Sequence, residues 1–513
     1  MKLDRHHLPR DLEQCHALIA ELAQELDVKE RKLQRVLHQL VQLLRWRYGS
    51  KRERVPENQL FLFAAELVGA DKDIELPVSD DSPKQVKPEI CPTNGHGRQR
   101  LPKHLERRRV EYDLEPEKRQ CPECQCELRY LGEEVSERLE YVPASLHVIE
   151  EVCRKYACPH GCAVVTAAKP MQPIEKGLPG PGLLAHVTVS KYGDHLPLHR
   201  QEQMFKRQGV HLSRRTLCDW MKRSAELVSP LYNEMKKRAL SSKVLQTDDT
   251  PVNVLDPELT RTRTGRLWAY VGDDDHPYTV YDYTPNRSRD GPDVFLREFS
   301  GYLQADAYSG YDKLYADPAR DVTEVACWAH ARRKFYEAQS SDVMRSMVML
   351  AYIRLLYDVE REARETKLDS RDRKALRRAK SVPILNDIEA YLKQERSDVL
   401  PKSPAGQAIA YTLSNWAALI RYCEDGDIEI DNNGAERSLR GVAVGRKNWM
   451  FFGSDNGGRT AAILTSFIAT CKRQNIDPFA YLADIFGRLS AHPANRLEEL
   501  LPDKWQAAKT PAN

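Results

Sequence analysis

The chain has 513 residues and a mass of 58.9 kDa, more than one ordinary domain, and length alone predicts about three to five. Seventy-eight Lys and Arg against 75 Asp and Glu leave a formal charge of +3, so no global charge announces a partner. Charged residues at 30% and a mean hydropathy of −0.61 exclude a membrane protein, and the N-terminal MKLDRHHLPRDLEQC has no apolar core to serve as a secretory signal. Twelve cysteines in so long a chain fall short of a disulfide scaffold, and reduced thiols or metal ligands in a cytoplasmic protein are expected.

Leu12, Ile19, Leu26, Leu33 and Leu40 repeat every seven residues, with Cys15, Leu22, Lys29, Val36 and Leu43 at the second seam position. This spacing predicts a coiled-coil helix within residues 1–50 and hence a homo-oligomer. Residues 51–100 read as a partly disordered linker, rich in Pro, Asp and Lys over 68–100. Charge is uneven: 66–81 carry net −5, whereas 98–109 and 200–223 each carry net +5, which favours a polyanionic partner.

Within 101–175, Cys121-Pro-Glu-Cys124 is followed after 33 residues by Cys158-Pro-His-Gly-Cys162. Two close cysteine pairs can present four thiolates to a structural Zn²⁺, so a small zinc-finger-like domain is expected, with Cys126, Cys153 and His160 as competing ligands. Residues 176–238 hold a helix, a turn at Gly209 and a second helix capped by Ser213. Arg214, Arg215 and Lys222 make that second helix basic, which suits a helix-turn-helix-like contact with DNA; an ordinary helical hairpin is the alternative.

From 239 to 340 the pattern predicts three strands, a helix, a strand, a helix, a strand and a helix, hence a mixed sheet faced by helices. Asp248 falls on the first strand and Asp306 at the end of the fourth, 58 residues later. Opposed carboxylates on neighbouring strands repel unless cations lie between them, and hard oxygen ligands suit Mg²⁺ or Mn²⁺. The third acid is assigned to Glu436, 130 residues beyond, at the start of a helix flanked by Arg437, Arg440, Arg446 and Lys447. That long gap predicts a helical insertion over 341–428, with the catalytic core resuming at 429–470 and a helical tail at 471–513. On spacing alone Asp249, Asp282 and Asp431 remain alternatives. His330, Arg333 and Lys334, in CWAHARRKF, are expected near phosphate, and Trp449 either stacks on a splayed base or belongs to the core. The sequence contains no Gly-Lys dipeptide and therefore no Walker A loop.

Taken together, WRYGSKRER, LPKHLERR, the cysteine knuckle, TDDTPV, LQADAYSGY, CWAHARRKF, DNNGAERSLR, VGRKNWMFFGSDNGG and IDPFAYLADIFGRL closely resemble the transposases of the insertion-sequence sixty-six family, of the Asp-Asp-Glu class. The resemblance spans nearly the whole chain. It implies a multidomain α+β protein: a ribonuclease-H-like α/β catalytic domain with a helical insertion, preceded by the coiled coil, the zinc finger and a helical DNA-binding segment. It further implies two Mg²⁺ (or Mn²⁺) ions held by Asp248, Asp306 and Glu436, DNA as partner, strand cleavage followed by strand transfer, and accessory proteins from the same element. Two departures stand out. Asp249 occupies a position that is Glu in many members, and the second cysteine pair is one residue wider than usual. A ribonuclease-H-like nuclease without strand transfer and a catalytically inactive DNA-binding regulator are the rival functions.

Overall fold

A computed structural model describes residues 171–505, apart from 176, 257, 259 and 260, together with 146, 148, 149, 155–157 and 164–166. The expected heptads, the linker and the knuckle cysteines Cys121, Cys124, Cys158 and Cys162 lie outside the described residues. The described residues up to 166 fall in one unit, and those from 171 onward in another. In the first, β1 (Lys155–Ala157) and β2 (Val164–Thr166) pair antiparallel.

The second unit opens with three helices, α1 (Pro181–Tyr192), α2 (Leu198–Arg207) and α3 (Arg214–Leu240). Between α2 and α3 the chain turns at Gly209, whose φ of 81° is left-handed, and Ser213 caps α3 by accepting from Thr216 N–H at 3.1 Å. Leu217, Met221, Ser224, Val228, Leu231 and Met235 recur at helical spacing and are buried. All of these but Ser224 share one core with Leu245, Trp268 and Tyr270 of the sheet, so α3 packs directly on the sheet.

Five strands follow: β3 (Val244–Val254), β4 (Arg263–Val271), β5 (Thr279–Thr284), β6 (Gly301–Gln304) and β7 (Val322–Val325). Their spatial order is β5-β4-β3-β6-β7, with β3, β4 and β5 antiparallel and β6 and β7 parallel to β3. Helices α4 (Asp290–Phe295), α5 (Asp312–Ala316) and α6 (Trp328–Ala338) fall between and after β5, β6 and β7, in the order the alternation predicted. One boundary differs. The strand expected to reach Asp306 stops at Gln304, and Ala307 takes a φ of 60°, which turns the chain out of the ladder just after the acid.

Residues 341–428 are largely helical, through α7 (Val343–Glu365), α8 (Ser370–Leu376), a π turn (Arg377–Ser381), α9 (Val382–Glu395), α10 (Pro404–Ser414) and α11 (Trp416–Ile420). Their apolar faces gather Met347, Leu350, Ile353, Leu385, Ile388 and Leu392 into a core that also takes Trp328 and Phe335 of α6. Buried Arg377 is held there by both oxygens of Glu360, at 2.7 and 2.8 Å, and by the carbonyls of Tyr422 and Asp425. The chain returns to the sheet with α12 (Asn433–Trp449), α13 (Asp455–Arg473) and α14 (Pro478–Arg488). On α13, Ser466 and Thr470 accept from the outward N–H groups of Tyr281 and Thr279 on edge strand β5, at 2.8 and 3.1 Å. These bonds satisfy the exposed edge of the sheet, and the helix that makes them runs through the boundary expected at 470–471.

Candidate active site

The sheet register brings the first two acids together. Gln246 of β3 pairs with Gln304 of β6, and Asp248 and Asp306 each lie two residues further along. A period of two keeps Asp248 on the face of Gln246. Gln246 Nε2 donates to Gln304 Oε1 at 3.0 Å, and the two amides then reach the segment that enters α12. Gln246 Nε2 also donates to the Asp431 carbonyl at 3.2 Å, and Gln304 Nε2 to that of Glu429 at 2.7 Å. Asn432 Nδ2 donates to the Thr247 carbonyl at 3.2 Å. The Asn432 side chain makes no cap bond to α12; Asp431 Oδ1 accepts from Asn433 N–H at 3.2 Å and, from the sheet, Gln246 Oε1 accepts from Ala435 N–H at 3.3 Å. Gly434 leaves room beside it: a Cβ there would sit 2.3 Å from that same oxygen and would push the Gln246 amide aside. The first turn of α12 is thereby fixed over β3, and it carries Glu436.

The electrostatics of Asp248 report the convergence. Its carboxyl is pushed up to about 7, first by burial and then by the negative charges of Asp306, Glu436 and Asp249, with the Asp249 N–H, 2.8 Å from Asp248 Oδ1, partly offsetting them. Asp306 and Glu436 keep a quarter to a third of their side chains exposed, so the cluster opens to solvent. The three acids expected from spacing and resemblance therefore share one neighbourhood.

The alternatives have other partners. Asp249 is 3% exposed and held by Arg266 Nη1 and Arg287 Nη2, each at 2.8 Å. Asp282 lies on β5, is pushed up to about 6 by burial, and is influenced by Lys236 and Arg459. Asp431 accepts from Tyr357 Oη at 2.8 Å and from Asn433 Nδ2 at 2.7 Å.

On the other side of Glu436, His330 Nε2 lies 3.6 Å from Oε1. The ligand atoms of Cys327, His330 and Glu436 all fall within 4.8 Å of one another. Cys327 is fully buried, its sulfur accepts from Asn432 N–H at 3.4 Å, and burial pushes its thiol up to about 12. It therefore reads as a packed thiol at the start of α6.

Around this cluster the expected bases fall on distinct faces. Arg440 and Lys447 are exposed one and three turns along α12 from Glu436, on the same side of the helix, with exposed Arg437 beside them. Arg446 points elsewhere: half-buried, it donates to the Pro251 carbonyl. Arg333 is exposed on α6, and Lys334 lies 4.5 Å over the Tyr411 ring. Arg214, Arg215 and Lys222 are exposed on the first turns of α3, Lys222 lying 3.7 Å from Glu226. Trp449 stacks on Phe452 with ring centroids 4.7 Å apart and packs with a small cluster beside β3, the core alternative of the two expected for it.

Gln246, Gln304, Asn432, Arg266 and Arg287 went unnoticed in the sequence. The signal for the first two is visible in retrospect, since Gln-x-Asp occurs at both Gln246-Thr-Asp248 and Gln304-Ala-Asp306.

The Transposase IS66 family matches residues 176–460, and the IS66 C-terminal element matches 466–502. Upstream, the zinc-finger binding domain of transposase IS66 matches 118–161, and Transposase C of IS166 homeodomain matches 35–110. The zinc-finger match takes in Cys121, Cys124 and Cys158 and ends one residue before Cys162. Two uncharacterized proteins of Sinorhizobium fredii are similar over most of their length. One, y4jD, is 33% identical over 529 residues, 99% of each chain; the other, y4hP, is 33% identical over 510 residues, 94% of this chain and 89% of its own. Among the described residues no helix is long and apolar enough to cross a membrane.

Proposed function

This chain belongs to the IS66 transposase family, and from that premise we propose that it cuts and joins DNA at the ends of an insertion sequence through Asp248, Asp306 and Glu436. The observation that carries the reading is the convergence on Asp248 of Asp306, two residues past the Gln246–Gln304 pair, and of Glu436 on α12, whose charges together with burial raise the Asp248 carboxyl. Like charges crowded in a half-buried site are relieved by divalent cations, and three carboxylates are the hard donors that Mg²⁺ or Mn²⁺ take. The donor set therefore fits such ions. When bound, a pair of them would supply Lewis-acid stabilisation to the attacking and leaving oxygens of a phosphodiester. The five-stranded order, with three antiparallel strands followed by two parallel to the first, supports a ribonuclease-H-like catalytic domain.

The chain's own residues then have separable tasks. Asp248 on β3 and Asp306 just beyond β6, fixed by the Gln246–Gln304 clamp, offer neighbouring carboxylates, and Glu436 offers its own from α12. Arg440 and Lys447, in line with Glu436, bind backbone phosphates, as do Arg437 and Arg333. His330 orients Glu436 across 3.6 Å. In the first step water displaces the strand and frees a 3′-OH at the element end; in the second that hydroxyl attacks target DNA. One phosphodiester is exchanged for another, so no nucleotide hydrolysis is required. The zinc-finger match supports a structural Zn²⁺, and the finger with the α2–α3 pair is assigned to recognition of the terminal inverted repeats. The heptads would join protomers so that both ends are held, and the reaction would take place in the bacterial cytoplasm.

Incubating the protein and Mg²⁺ with a labelled element end and a target plasmid tests this. The wild type should nick the end and join it to the plasmid, and Asp306→Asn should do neither while melting normally. Nicking without joining would leave a nuclease; inverted-repeat binding with neither would leave a regulator.

A further inference from the structure

Arg287 stands in the loop between β5 and α4, and nothing in the sequence pattern marks it. Its guanidinium joins two groups that the triad itself leaves apart. Nη2 and Nε lie 2.8 and 3.2 Å from Asp249 Oδ1, and Nη2 is also 3.7 Å from Asp306 Oδ2. The planar group lies 4.2 Å over the Tyr308 ring, and Tyr308 Oη donates back to the Arg287 carbonyl. Asp249, nearly buried and already neutralised by Arg266, is a fixed anchor rather than a spare acid. The arginine side chain stays 39% exposed, so it faces both a triad acid and solvent.

We propose that Arg287 is a tethered cation that holds Asp306 while the acid site is free of metal, competes with a divalent ion for that carboxylate, and moves onto a DNA phosphate when the substrate arrives. The inference rests on the three-acid metal reading above. Its physical content is a competition. An arginine cannot lose its proton, so its attraction for Asp306 is permanent and must be displaced before that carboxylate can bind an ion. A backbone phosphate, like a carboxylate, offers two anionic oxygens that a guanidinium can take in a two-pronged contact, and transfer of the guanidinium to it frees Asp306. DNA and metal then bind cooperatively, with the arginine as the shared element. Asp249 is a positioning residue in this arrangement, because it sets how far the guanidinium can reach. The Asp-Asp pair at 248–249 therefore divides its work: one carboxyl faces the triad, and the other anchors the cation beside it.

The test is Mn²⁺ binding to the full-length protein without DNA, read as loss of the free-ion signal in electron paramagnetic resonance. Thiolates are poor Mn²⁺ ligands, so the cysteine knuckle does not contribute. Arg287→Ala and Arg287→Gln should each tighten Mn²⁺ binding, by roughly fivefold or more, the lower end of ordinary coupling between sites. The Gln variant keeps a hydrogen bond to Asp249 and so guards against a folding defect in the Ala variant. Arg287→Lys, which preserves the charge, should stay near the wild type. On a generic 30-base-pair duplex in Mn²⁺, both neutral variants should also lower the salt slope of binding by about one phosphate contact. Unchanged or weaker Mn²⁺ affinity in Arg287→Gln, in a protein that melts like the wild type, overturns the proposal and leaves the triad intact. A wild type that binds no Mn²⁺, and that Asp306→Asn does not alter, overturns both readings together.

Discussion

Asp248 bears most of the strain of the site. Its carboxyl is raised from its ordinary value of 3.8 to about 7, chiefly by burial and then by Asp306, Glu436 and Asp249. For an acid whose folded value lies above its unfolded one, folding favours the protonated form. The associated stability is complete below about 3.8 and is lost as the pH rises through about 7. Without added divalent ions, Asp248→Asn should therefore melt higher than the wild type at pH 8, and the gain should shrink towards pH 5. Paired thermal melts at the two pH values check this, and a gain that is equal at both would mean that repulsion at Asp248 is not the cause. Millimolar Mn²⁺ should reverse the order at pH 8, because the wild type gains bound ions that the variant holds poorly.

Above the single residue, the unit that makes the site is a pair of strands and the loop they grip. Gln304 is fully buried, accepts from Gln246 and donates to the Glu429 carbonyl, so its loss leaves polar atoms unpaired on both sides. Gln304→Ala and Gln246→Ala should each destabilise the protein by about 1–3 kcal/mol. Because the two amides share a bond and a loop, the double variant should fall short of the sum, with a coupling of about 0.5–3 kcal/mol by urea unfolding. Strict additivity would mean that the clamp is not one unit. The sequence made the strands themselves legible, since their apolar runs and turns recur in order, and the two Asp positions followed once β3 and β6 were taken as neighbours. Glu436 was reachable through its basic helix and the resemblance. The clamp was not, because Gln246 meets Asp431 across 185 positions and a glutamine on a strand is ordinarily a surface residue. Arg287 was hidden for the same reason: it lies 38 positions from Asp249, and a loop arginine carries no periodic signal.

At the scale of the molecule, the same difficulty hides how the helix pair joins the sheet. The basic helix pair read as a detachable DNA-binding segment because seven bases over 200–223 dominate its pattern. That pattern gives no hint that α3 runs on to Leu240 and lends its apolar face to the sheet. In the fold, Leu217, Val228, Leu231 and Met235 share a core with Leu245, Trp268, Tyr270 and Phe467, and Tyr232 Oη donates to the Tyr281 carbonyl at 2.7 Å. Helix α14 packs on α1, closing the same core from the C-terminal side. The smallest self-sufficient catalytic body is therefore expected to start near residue 168, where the contact pattern divides the chain, and not at 239. A fragment of residues 168–505 should melt cooperatively and retain Mn²⁺ binding that depends on Asp306. A fragment of 241–505 would lose the α3 residues that share a core with Trp268, Tyr270 and Phe467, and should bind a hydrophobic dye and aggregate. Removal of residues 1–167 takes away the zinc-finger match and the heptads, so discrimination between element ends and random duplex should drop while the salt-dependent affinity for any DNA persists. Calorimetry of the two fragments and a competition binding assay decide the matter: a folded, Mn²⁺-binding 241–505 would show that α1–α3 form a separable module after all.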